Sequence, residues 1–94
     1  MVRTTLREYN REIENLIESG QNEEAIAPSR HILQDFPQHL ATHRLLGKAY
    51  LELHRYEEAA GVFQHVLDCI PDDFISHLGM SVIREHEADL DTSI

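Results

Sequence analysis

Seven histidines and one cysteine in 94 residues are the first candidates for chemistry. His39 and His43 stand four apart, close enough to share a metal ion if both lie on one helix. His39, however, follows Pro37 by two residues, at or before a helix start, and no second close pair or cysteine completes a ligand set. His31 and His65, like His43 and His77, are separated by the same interval of 34 residues, so duplication accounts for their spacing. Cys69 adjoins Ile70 in an apolar stretch and is expected to be a buried, inert thiol; alone it permits no internal disulfide. Ser19, Ser29, Ser76, Ser81 and Ser93 have no His/Asp setting, and there is no Gly-rich phosphate loop or paired-carboxylate constellation. Glu57 and Glu58 fall at a helix start, where compensation of the helix dipole explains them. The expectation is therefore no enzyme activity, no cofactor and no metal.

Charge narrows the partners. A net charge of -9 argues against nucleic acid and anionic membrane. Within this acidic chain Arg44 and Lys48 lie one helical turn apart and could hold a carboxylate or an acidic segment; the bland alternative is two solvated cations paired with nearby Glu. The start, MVRTTLREYN, has no apolar h-region, and no apolar run is long enough to cross a membrane, so a cytoplasmic setting is expected. The length suits one small domain of marginal stability.

The elements that must position these residues are helices. The stretch 40–73 shows two amphipathic helices with a turn between them and a closing proline. Leu46, Tyr50, Ala59, Phe63, Val66 and Leu67 are spaced to form an apolar seam. Gly47 inside a helix costs about 1 kcal/mol against Ala and so needs a close helix contact as its reason. Pro71 stops the second helix. Upstream, Thr5 and Glu8 fit a capping box that starts a helix near Leu6. Leu6, Tyr9, Ile13, Leu16 and Ile17 give its face, and Gly20 its stop. Asn22 is expected to cap the next helix, with Ala25, Ile32, Leu33 and Phe36 as its seam and Pro37 at its end. Pro28 falls inside that helix: either it kinks there, or a turn over 23–27 precedes a helix with Pro28 near its first position.

The two units are related by the shift from Pro37 to Pro71, 34 residues, which also carries Leu6 onto Leu40, Ala25 onto Ala59, His31 onto His65 and Leu33 onto Leu67. Leu46-Gly47, Tyr50, Ala59, Phe63 and Pro71 stand at the offsets of the tetratricopeptide repeat, which this chain resembles; only the opening aromatic is replaced, by His43. The resemblance implies an all-α fold, with antiparallel helix pairs stacked as a short right-handed solenoid. Residues 6–39 would be a degenerate capping repeat, with Glu12, Ile13 and Ser29 where the second unit has Leu46, Gly47 and Phe63. Residues 40–73 would be a full repeat, and 74–94 the start of a third that stops where its second helix should begin. The chain is accordingly expected to be part of a longer protein. In the third unit Asp72 or Asp73 caps the helix, and Ile75, Leu78, Val82 and Ile83 form one face.

The resemblance further implies a scaffold that binds a peptide or protein on its concave surface, lined by the first helix of each unit. Carried over, that lining is Arg7, Asn10, Glu14 and Ile17 from the first unit, Ala41, Arg44, Lys48 and Leu51 from the second, and Ile75, Leu78 and Val82 from the third. The carboxylate clamp of some relatives is not matched, since Glu14 and Leu45 stand where Asn is expected and Ile75 and Gly79 where basic residues are. The alternatives are a regulatory or oligomerisation module attached to an enzyme or sensor. Self-association through 74–83 is expected, because more apolar positions lie there than one packing face needs.

Overall fold

The computed structural model describes residues 6–92, and among them every element is a helix. The elements are α1 (Leu6–Glu18), α2 (Asn22–Asp35), α3 (Leu40–Glu52), α4 (Tyr56–Cys69) and α5 (Phe74–Thr92). Thr5 of the expected capping box lies outside the described residues.

The helix ends follow from backbone chemistry repeated at the 34-residue interval. After α1, Gly20 takes φ +86°, its amide reaches Ile17 O at 3.0 Å and the Gln21 amide reaches Leu16 O at 2.8 Å. After α3 the same pair of bonds runs from His54 to Leu51 O and from Arg55 to Tyr50 O, with His54 at φ +62°. Both are left-handed caps that satisfy the orphan carbonyls; Gly adopts the conformation freely, whereas a side chain there is strained. The exits of α2 and α4 also match: Phe36 donates to Ile32 O and Ile70 to Val66 O. Pro37 and Pro71 then prevent continuation.

One expectation about α2 needs correction, and one of the two readings of Pro28 is removed. Asn22 is its first residue, not its cap; Gln21 holds the cap position without a side-chain bond to a helix amide, its side chain donating to the Glu24 carboxylate instead, and the Asn22 Oδ1 is buried without a partner. The helix runs unbroken through Pro28, so the restart near Pro28 does not occur. Pro28 deprives the Glu24 carbonyl of its amide. One residue on, the fully buried Ser29 donates its hydroxyl to Ala25 O at 2.7 Å.

α5 also departs from the repeat. It continues through 87–89, where the repeat would place a turn, so residues 88–92 extend the helix rather than fold back over it.

The core gathers Ile13 and Ile17 of α1, Ala25, Ile26 and Ile32 of α2, Leu46, Ala49 and Tyr50 of α3, Ala59 and Phe63 of α4, and Ile83 of α5. Phe63 is its keystone. A Cβ on Gly47 would come within 2.8 Å of the Phe63 ring, and one on Gly79 within 2.5 Å, so two glycines from α3 and α5 make room for one ring. Seating Gly79 on Phe63 fixes how α5 is rotated. Ser76, Gly79 and Ile83 face inward, and of the expected face only Ile83 is buried; Ile75, Leu78 and Val82 are 49%, 54% and 42% exposed. Four other core expectations fail. Tyr9 and Phe36 are 43% and 49% exposed, Leu67 is partly buried outside the core cluster, and Cys69 is exposed at the end of α4.

Consecutive helices pack as neighbours. In addition α1 meets α3 and α3 meets α5, whereas α2 and α4 do not meet. The first helices therefore form a close inner layer and the second helices a spread outer one.

Candidate functional site

The inner layer carries a groove of about 590 Å³ between α1, α3 and the start of α5. Arg7, Asn10, Arg11 and Glu14 form its α1 wall, His39, Ala41, Arg44 and Leu45 its floor, and Ile75 its α5 side. Its floor is fixed by two polar junctions that the repeat builds twice with different side chains.

At the first junction, between α1 and α3, the buried Thr42 donates its hydroxyl to Asn10 Oδ1 at 2.8 Å. His39 Nδ1 completes the junction, 2.7 Å from Thr42 Oγ1 and 3.4 Å from Asn10 Nδ2. At the second junction, 34 residues on, Arg44 takes the place of Asn10, Asp73 that of His39 and Ser76 that of Thr42. Here Arg44 Nε and Nη2 donate to Asp73 Oδ1 at 2.9 and 2.6 Å, and Asp73 Oδ2 accepts the Ser76 amide at 2.9 Å. Asp73 is thus the α5 cap and the junction at once. The Arg44 guanidinium is the main reason its carboxyl is held down at about 2; burial opposes the effect and the Ser76 amide adds to it.

The expected lining divides three ways. Arg7, Asn10, Glu14, Ala41, Arg44 and Ile75 come together in the groove. Lys48, Leu78 and Val82 are exposed outside it, the latter two continuing along α5 from Ile75. Ile17 is buried in the core, and Leu51 is partly buried where it packs against it. Arg44 and Lys48 do not act as a free pair of cations, because Asp73 of the chain itself already occupies Arg44. Sequence reasoning missed Arg11, His39 and Leu45 as lining residues. His39 could have been found by applying the 34-residue shift to Asp73; Arg11 left no such signal.

The histidines have local duties. His43 Nε2 donates to Pro37 O at 2.9 Å, and His77 Nε2 to Pro71 O at 2.6 Å, so the recurring histidine pins the proline that closes the preceding unit. His43 also packs on His65, with ring centroids 4.5 Å apart. Burial is the main cause lowering its pKa, with His65 and His39 adding to it against the Pro37 bond. His86 of α5 stacks on Tyr56, whose hydroxyl bonds His54 Nδ1 at 2.7 Å. Among the described residues no three His, Cys, Asp or Glu side chains converge as metal ligands. No helix among them is long and apolar enough to cross a membrane.

Stacked helix pairs with duplicated junctions define an α-helical repeat protein. A profile of the tetratricopeptide repeat matches residues 16–78, and the chain belongs to that family. No curated protein and no solved structure matches it.

Proposed function

We propose that the chain is a protein-interaction scaffold that binds a peptide or protein segment along its inner layer. Repeats of this family generally mediate protein–protein interaction, and the open groove over α1, α3 and α5 is the observation that supports this placement. The groove offers backbone-free side chains of both polar and apolar kind, as segment recognition needs. It has no nucleophile–base pair, and enzyme activity is not part of the reading. A cytoplasmic setting suits a chain whose single cysteine is an exposed free thiol.

The test is steric. Ala41 is exposed on the groove floor, so Ala41→Trp should fill it and abolish binding of any groove ligand without changing the melting temperature. Undiminished binding by Ala41→Trp would move the site elsewhere.

A second reading, self-association through α5, is favoured by the exposure of Phe74, Ile75, Leu78 and Val82. Sedimentation across a dilution series separates the two, since only the second predicts a mass that rises with concentration.

A further inference from the structure

We infer that the groove is polarised and takes a segment with acidic residues against α1 and aliphatic residues against α5. This rests on the concave reading above and names the chemistry of its ligand. On the α1 side Arg7 and Arg11 stand one turn apart, both exposed, and neither has an ion-pair partner among the described residues. Glu14 shares that wall and leaves it with a positive excess. At the centre, Arg44 and Asp73 neutralise each other and present no free charge. On the α5 side, Ile75 borders the groove and Leu78 and Val82 follow at i+3 and i+7, forming one exposed stripe. Between Phe74 and Ile83 the helix carries no Asp, Glu, Lys or Arg.

The two ends therefore ask for opposite chemistries. An unpaired guanidinium pair binds carboxylates, preferably bidentately. An uncharged aliphatic stripe gains by losing water to another apolar surface. A second copy is the weaker candidate for the stripe. The stripe of Phe74, Ile75, Leu78 and Val82 is by itself smaller than the roughly 800 Å² a side that a stable dimer buries.

Fluorescence anisotropy with labelled synthetic peptides tests the inference. The probe is a peptide with a block of Asp at one end and a block of Leu at the other; controls are all-Asp, all-Leu and interleaved Asp/Leu peptides. The block peptide should bind about tenfold more tightly than any control. The double variant Arg7→Ala/Arg11→Ala should weaken it about tenfold and remove its salt dependence. Leu78→Ser/Val82→Ser should weaken it by a similar factor and leave the salt dependence in place. All four positions are exposed, and thermal melts of the variants check that the fold is kept.

Equal binding of block and interleaved peptides, double variants without effect, or no binding of the block peptide would each overturn the polarised groove. The concave reading outlives that result if Ala41→Trp still blocks whichever peptide binds, and falls with it if Ala41→Trp blocks none. A dimer dissolved by Leu78→Ser/Val82→Ser, in a protein that binds no block peptide, would assign the stripe to a second copy instead.

Discussion

Phe63 is 1% exposed and confined by Gly47 and Gly79, so the smallest change at either glycine should be felt. Gly79→Ala gains the helix propensity of Ala but drives a methyl into a ring that cannot retreat. The overpacking term wins, and a net loss of about 1–3 kcal/mol is expected in urea denaturation. Gly61→Ala is the matched control. It lies on the exposed side of α4 with nothing within 4 Å of its future Cβ, and should gain about 0.5–1 kcal/mol. Loss at both positions would refute the packing account. Asp73 supplies the pH prediction. Its pKa falls from 3.8 to about 2 on folding, so its contribution is fully present above pH 4 and disappears as pH falls through 2. Removing the cation with Arg44→Ala brings the folded carboxyl back toward its unfolded value, so the variant should lose less stability than the wild type as pH falls from 4 to 2. At neutral pH it should cost about 1–3 kcal/mol, the price of a buried carboxylate without its partner. Parallel acid profiles of wild type and Arg44→Ala would contradict the junction.

At the scale of the element, Pro28 stands inside an unbroken α2 and offers no amide to the Glu24 carbonyl. Pro28→Ala restores that donor and relieves the ring clash, and should stabilise the protein by up to about 3 kcal/mol, less some unfolded-state entropy. A lower melting temperature for Pro28→Ala would mean that the helix depends on the proline. The same scale shows what the sequence could and could not reveal. Gly20, Gly47, Phe63, Pro37 and Pro71 were legible because each answers a local constraint: a left-handed cap, a close approach, a missing amide. The rotation of α5 was not legible from apolar periodicity, because Ile75, Leu78 and Val82 are spaced as well as the residues that are packed. Gly79 decides between them through a ring from another helix, a contact between residues 16 apart in sequence. Cys69 and Phe36 were misplaced for a related reason. Both lie at the end of a second helix, where apolar neighbours in sequence do not mean apolar neighbours in space. In the groove, Arg7, Asn10, Glu14, Ala41 and Arg44 followed from the repeat offsets, whereas Ile17, Lys48 and Leu51 of the same set do not line it. The neutralisation of Arg44 did not follow from them, because Asp73 was read only as a helix cap.

For the whole molecule, the inner layer of α1, α3 and α5 and the outer layer of α2 and α4 follow from one repeated junction. Asn10–His39–Thr42 and Arg44–Asp73–Ser76 hold successive first helices together, so their exposed faces run side by side and create the groove. The central claim is that this inner face is where a segment binds. The most direct measurement is amide chemical-shift mapping of the labelled chain during titration with the block Asp/Leu peptide. The account predicts shifts at Arg7, Arg11, Ala41, Ile75 and Leu78 that saturate together, while the exposed outer positions Gly61 and Gln64 of α4 stay unmoved. Shifts confined to α2 and α4, with the α1–α3–α5 face unchanged at saturation, would contradict it.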